Sequence, residues 1–265
     1  MTRISTTIDG RQIEVERDRW ALDVAREMGL TIPTLCHHPA LEPYGACRLC
    51  VVEVTKGRST WLTTSCDLPI REGLSIRTDT PAVRRARRVA VELLWASAPD
   101  AEPVAELARQ MGLERPRFQP HAPRGQCILC GLCVRVCQRI LGESAICFSL
   151  RGARRNIGTP LNEPSAECVG CRACEVVCPT GHIRSMDVEA VRRMETFGTD
   201  LAMARCEECG EPIAPDRQMA HLRQRLPAHV PLANACSRCR RKTSLARLAE
   251  GQSLLVNDTY LPVRT

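Results

Sequence analysis

Aromatic residues are scarce: three Phe, three Trp and two Tyr among 265 residues. A core with so few rings is aliphatic and depends on some further source of cohesion. Long apolar runs are missing as well, and no stretch of eighteen or more apolar residues is available to cross a bilayer as a helix. The opening MTRISTTIDGRQIEV lacks a charged segment followed by an apolar one, so the expectation is a chain that stays in the cytoplasm. Glycine loops of the G-x-G-x-x-G or Walker kind are absent, and so is any nucleophile–base arrangement. Neither a catalytic residue set nor NAD or flavin binding by this chain alone is expected.

Charge of one sign is in modest excess, at +7. Basic pairs occur at Arg84-Arg85, Arg87-Arg88, Arg154-Arg155, Arg192-Arg193 and Arg240-Arg241, scattered and without aromatics interleaved to stack on bases. The reading is solvated faces and docking surfaces for acidic partner subunits, not nucleic-acid binding.

What the chain has in abundance is cysteine, seventeen in all. Thiols arranged as C-x2-C in a chain without an export signal point to metal, not disulfides. Residues 127–137, CILCGLCVRVC, are echoed about forty residues on by CVGCRACEVVCP, and both runs are spaced C-x2-C-x2-C-x3-C. Three thiolates from one tight loop grip three irons of a cubane, and the fourth ligand comes from elsewhere. In two-cluster ferredoxins the fourth cysteine of each run ligates the other cluster. On that pattern Cys127, Cys130, Cys133 and Cys178 hold one [4Fe–4S] cluster, and Cys168, Cys171, Cys174 and Cys137 hold a second. Two zinc knuckles would also use eight cysteines, but the tandem repeat ending Cys178-Pro179 is more specific to iron–sulfur binding. Gln138 stands where proline usually follows the fourth cysteine; proline there shapes the turn and gives no ligand. Gly131 and Gly170, between ligands, are read as letting backbone N–H groups approach the sulfides.

The first eighty residues read as a small β-rich unit. RISTTIDGRQIEVE is a hairpin turning at Asp9-Gly10. A helix follows, with Asp18 as cap, Ala21, Val24, Ala25 and Met28 as apolar face and Gly29 as stop. LCVVEV, the turn Lys56-Gly57-Arg58, STWLTTSC and EGLSIRT supply the remaining strands. Thr80-Pro81 opens a longer helix, with Val83, Ala86, Ala90, Leu93 and Leu94 on one face and the arginines on the other. A short helix from about Pro103 to Met111 is stopped by Gly112, and ERPRFQPHAPRG reads as linker.

Cys36, Cys47, Cys50 and Cys66 are spaced C-x10-C-x2-C-x15-C, which resembles a [2Fe–2S] arrangement. The surrounding IPTLCHHPALEPYGACRLCVVEV resembles the N-terminal domain of the large iron–sulfur subunit of respiratory complex I. It is similar, more closely, to the iron–sulfur diaphorase subunit of NAD(P)-linked [NiFe]-hydrogenases and to the ferredoxin modules of [FeFe]-hydrogenases and NAD-dependent formate dehydrogenases. RTDTPAVRRARRVAVELLWA and CILCGLCVRVCQRILGESAICFSLRG extend the resemblance over roughly residues 3 to 185. The resemblance implies a flavin-binding NAD(P)H diaphorase partner and a catalytic metalloenzyme partner in a hetero-oligomer. One departure stands out. The family carries an H-x3-C-x2-C-x5-C site after the helix matching 81–95, and SAPDAEPVAELARQMGLE here has neither cysteine nor histidine. That cluster is expected to be lost. His37 and His38 are read as loop residues, and Cys147 as a buried structural thiol.

Cys206, Cys209, Cys236 and Cys239 form two C-x2-C pairs 26 residues apart. CEECGEP looks like a zinc-ribbon knuckle, and four thiolates suit a closed structural Zn2+ site. A third [4Fe–4S] cluster is the rival; no third cysteine or neighbouring proline accompanies either pair. His221 and His229 are assigned to the intervening helix and loop.

The expected fold is α+β: a β-grasp [2Fe–2S] domain over 1–80, a helical linker over 81–125, a two-cluster ferredoxin-like domain over 126–200 and a zinc-ribbon-like unit over 201–265. The expected function is single-electron relay between a flavin subunit and a hydrogenase, formate dehydrogenase or other reductase. The alternatives are a regulatory or nucleic-acid-associated iron–sulfur protein and a free-standing polyferredoxin.

Overall fold

The computed structural model describes residues 3–119, 125–227 and 234–249. The chain divides into two compact units: residues 1–161 with 173–183, and residues 162–172 with 184–265.

In the first unit, β1 (Arg3–Ile8) and β2 (Arg11–Glu16) pair antiparallel. The turn between them uses Asp9 and Gly10 at φ 46° and 79°, the left-handed pair that matches strand twist. β3 (Val51–Lys56), β4 (Ser59–Thr64) and β5 (Ser75–Arg77) complete a five-stranded sheet in the order β2-β1-β5-β3-β4. Only β1 and β5 run parallel. The sheet buries Ile4, Ile8, Val52, Val54 and Ile76 against Leu22, Val24 and Ala25 of helix α1 (Ala21–Glu27). No ring is needed in that core.

Asp18 does not cap α1. It sits at φ 64° with its N–H on Ile70 O, and the N-cap is Trp20 with no side-chain bond. The first helical donors go instead to Leu68 O (from Ala21) and Ser65 O (from Leu22), so the loop carrying Cys66 caps this helix. A backbone cap of this kind leaves no signature in the local sequence.

Helix α2 (Pro81–Ser97) begins as expected, Thr80 Oγ1 accepting from Val83 N at 3.2 Å. Its buried stripe differs from the expected one. Val83, Arg87, Val91, Glu92 and Ala96 are buried, whereas Leu93 is half exposed. The helix touches β3 on one side and α3 (Glu102–Gln110) on the other, which turns the 83-87-91 row inward. Arg87 tolerates this by donating Nη2 to Val51 O at 2.7 Å. Glu92, fully buried, accepts the Arg117 guanidinium and backbone N–H. Arg117 of the expected linker is therefore anchored to α2.

Helix α4 (Leu132–Arg135) runs directly into a π-helical segment over Val136–Leu141, followed by the β6 (Cys147–Ser149) and β7 (Asn156–Gly158) ribbon. The short helix α5 (Ala173–Val176) packs on α4.

The second unit contains β8 (Met186–Val188), β9 (Val191–Met194), β10 (Thr199–Arg205) and β11 (Pro212–Pro215) as an antiparallel sheet. Helices α6 (Asp216–Arg225) and α7 (Ser237–Ala249) follow. Arg192 departs from the solvated role expected of the basic pairs. It is buried, bonds Asp187 through Nε at 2.7 Å and gives Nη1 to Gly170 O at 2.8 Å. Among the described residues no helix is long and apolar enough to cross a membrane.

Candidate metal centres

The N-terminal four cysteines are all buried. Cys36 and Cys47 come from the loop after α1, Cys50 from the residue before β3, and Cys66 from the loop that caps α1. They meet two by two. Cys36 and Cys47 Sγ are 3.4 Å apart, with Cys47 N donating to Cys36 Sγ at 3.3 Å and Leu35 N to Cys47 Sγ at 3.5 Å. The hydrogen bond from Cys36 holds the Cys47 thiol down at about 6 and pushes Cys36 up. Cys66 does the same for Cys50, which falls to about 7 while Cys66 rises. In each pair the hydrogen bond favours the thiolate on one cysteine and the thiol on the other.

The two pairs belong to different cores. Cys50 and Cys66 pack with the five-stranded sheet and α1. Cys36 and Cys47 pack with Leu49, Val91 of α2, Val104 and Ala108 of α3, and Ile128, Cys130, Leu132 and Val136. His37 and His38 are engaged as loop residues. His37 lies by Asp23 and Arg26, where burial and then the Arg26 charge lower its pKa; His38 Nδ1 accepts from Ala40 N at 3.2 Å.

Cys127, Cys130, Cys133 and Cys178 line a single pocket with Ile157, Thr180 and Ile183. Cys137, in the π-helical segment, does not line it. Burial pushes Cys130 up to about 12 and raises Cys133 as well, so a thiolate set here requires a bound cation. Leu129 N donates to Cys127 Sγ at 3.4 Å. Gly131 turns the chain into α4 at φ 73°; a Cβ there would stand 3.1 Å from Phe148 and 3.2 Å from Tyr44. The Arg155 guanidinium lies over the Phe148 ring at 4.1 Å and that of Arg135 over the Tyr44 ring at 5.1 Å. Nothing in the cysteine spacing points to either ring.

Of the other repeat set, Cys137 and Cys174 lie in the first unit and Cys168 and Cys171 in the second. Gly170, between the latter two, adopts φ 70°, and a Cβ would meet Leu201 and Pro215 at 2.8 Å. Its carbonyl is the one Arg192 holds. The glycine is required by packing from β10 and β11, a constraint the motif does not announce. Cys147, in β6, is partly buried.

Cys206, Cys209, Cys236 and Cys239 converge, all four sulfurs within 4.8 Å of one another. His221, on α6, is not among them, and His229 lies outside the described residues. Among the described residues no other set of three or more potential ligands is gathered so tightly. All three sets whose geometry is local are thiol-only, the soft donor type that suits iron–sulfur clusters and zinc and not Mg2+ or Ca2+.

Residues 1–81 match the family described as 2Fe-2S iron-sulfur cluster binding domain. The alpha subunit of the NADPH-Fe(3+) oxidoreductase of Geobacter sulfurreducens is 32% identical over 223 residues, 74% of this chain and 26% of that protein. The G subunit of the NADH-quinone oxidoreductase of Streptomyces coelicolor is 27% identical over 293 residues, 94% of this chain and 34% of that protein. The chain thus spans about a quarter to a third of the length of these relatives. A solved NAD+-reducing [NiFe]-hydrogenase structure in the H2-reduced state superposes with TM-score 0.57 at 29% identity, covering 67% of this chain and 85% of that one. With its N-terminal cysteines in a matched 2Fe-2S domain, the chain is an iron–sulfur protein related to subunits of NAD(P)H-linked oxidoreductases.

Proposed function

We propose that the chain is the electron-wiring subunit of an NAD(P)-linked oxidoreductase complex. In this reading Cys36, Cys47, Cys50 and Cys66 hold a [2Fe–2S] cluster in a β-grasp domain over 1–80. Cys127, Cys130, Cys133 and Cys178 hold one [4Fe–4S] cluster, and Cys168, Cys171, Cys174 and Cys137 a second, in a ferredoxin-like domain over 126–200. Bound clusters of these kinds supply one-electron transfer. A flavin-binding diaphorase subunit is the partner on the N-terminal side. A hydrogenase, formate dehydrogenase or other reductase subunit is the partner beyond the cubanes.

The observation that carries the reading is the shared core. Cys36 and Cys47 of the first set pack in one apolar cluster with Cys130 of the second, and Leu49, Val91, Ile128 and Leu132 fill the space around them. The segment where the resembled family carries its site of one histidine and three cysteines is here α3, whose Val104 and Ala108 join the same core. In this reading electrons pass directly between the two sets.

The test follows from the chemistry of NADH, which gives two electrons as hydride where a cluster takes one. The isolated chain stays oxidised in NADH and is reduced once its flavoprotein partner is added. Cys47→Ser is expected to block reduction of both cubanes by NADH while leaving their reduction by dithionite intact, as read by EPR. Cubanes that still reduce at the parent rate in the Cys47→Ser complex would mean that electrons enter elsewhere.

A further inference from the structure

The four C-terminal sulfurs are spaced for one ion, not for four. Four ligands about 2.3 Å from a central zinc stand about 3.8 Å apart by tetrahedral geometry. Cys209 and Cys236 Sγ are 3.7 Å apart, and all four sulfurs lie within 4.8 Å of one another. In a cubane each cysteine binds a different iron at an outward corner, so its sulfurs are spread more widely. The pocket set of Cys127, Cys130, Cys133 and Cys178 has no such tight gathering, nor does the paired set of Cys36, Cys47, Cys50 and Cys66. One chain thus contains both patterns.

The surroundings are built around the sulfurs. The first knuckle turns between β10 and β11, with Gly210 N on Cys206 O at 2.9 Å and Gly210 at φ 76°. The second leads into α7, with Cys236 N on Cys206 Sγ at 3.3 Å and Cys239 N on Cys236 Sγ at 3.4 Å. Asn234 ties the knuckles together, its carbonyl accepting from Glu207 N at 2.9 Å and its Nδ2 donating to Glu207 Oε1 at 2.8 Å. Arg238, on the first turn of α7, lies beside Cys209, the exposed member of the set. Four thiolates around a divalent ion carry a net charge of −2, and the arginine offsets part of it.

We propose that Cys206, Cys209, Cys236 and Cys239 bind a single tetrahedral Zn2+ that fastens helix α7 to the β10–β11 hairpin and takes no part in electron transfer. Four thiolates close the coordination sphere and leave no position for substrate, and zinc has no accessible redox change. Binding expels the thiol protons, so the ion and not a hydrogen-bonded thiol cluster holds the second unit's C-terminal end.

The experiment uses the full chain purified without oxygen. Metal analysis is expected to give one zinc per chain, with zinc K-edge fine structure of four sulfur neighbours at about 2.3 Å. Cys209→Ser is expected to lose that zinc and to speed hydrogen exchange across 206–211 and 234–243, with iron content and cluster EPR signals unchanged. Cys209→His, which restores a zinc ligand, is expected to keep the ion. Four additional irons per chain, or one additional iron in place of zinc, overturns the proposal. A shortfall in iron with zinc still at one per chain counts against the relay reading and leaves this one standing.

Discussion

Two buried arginines and one glycine show how single side chains set the properties of the cysteine sites. Arg87 is buried on α2 with its Nη2 on the carbonyl of Val51, the residue after Cys50, and its Nε has no partner among the described residues. A fixed positive charge there stabilises the more negative, reduced form of a cluster held by Cys50. Arg87→Gln is expected to lower the [2Fe–2S] midpoint potential by on the order of tens of millivolts, while Arg87→Lys keeps most of it. EPR-monitored redox titration reads both; equal potentials in all three proteins exclude the arginine from tuning. Arg192, the second, clasps Gly170 O, and that glycine makes a different demand. A methyl group at φ 70° pressed 2.8 Å from Leu201 and Pro215 forces the loop between Cys168 and Cys171 to move. Gly170→Ala is expected to cost about 1–3 kcal/mol by denaturant unfolding, the usual range for overpacking plus a strained φ.

At the scale of elements, α2 organises the first unit's packing. It starts on a side-chain cap, Thr80 Oγ1 to Val83 N. Thr80→Ala leaves that donor and its neighbours without the cap, and a loss of about 1 kcal/mol is expected, read as a lower denaturation midpoint with an unchanged slope. The helix then shares its buried row between β3 and α3, which is why Leu93 is exposed while Arg87 and Glu92 are not. Helix α3 is held through Val104, Ala105 and Ala108, packed where the resembled family ligates a further cluster. A comparable economy is seen at α1, whose first donors are met by the Cys66 loop, so ordering that helix and positioning Cys66 are one event.

For the whole molecule, the sulfurs fall into three kinds of spacing: pairs in the N-terminal set, four around a pocket in the first repeat set, and four gathered tightly at the C-terminal end. Ten irons per chain are expected from one [2Fe–2S] and two [4Fe–4S] clusters, about the sum that their formulae give. The crossing of ligands gives the sharper test, because Cys178 lines the pocket of Cys127, Cys130 and Cys133 whereas Cys137 does not. Cys178→Ser is expected to remove the cluster of that pocket, and Cys137→Ser the other one. Mössbauer and EPR spectra of the two variants check this; loss of the same cluster in both would mean that the fourth ligands are not exchanged.

Spacing alone determined a good deal here. The Asp9-Gly10 hairpin, the Thr80 cap and the stops at Gly29 and Gly112 are local patterns, and each rests on backbone geometry within a few residues. What only the tertiary structure decided depends on neighbours distant in sequence. Asp18 loses the helix cap to carbonyls some fifty residues away, at Ser65 and Leu68, because those carbonyls reach the same donors. The arginine pairs divide between surface and interior according to whether a carbonyl such as Val51 O or Gly170 O waits for the guanidinium. Spacing favoured zinc over a cubane at the C-terminal cysteines only through the lack of a third cysteine or proline; the 3.7 Å between sulfurs from separate knuckles is a property of the folded chain, and it is what the zinc proposal rests on.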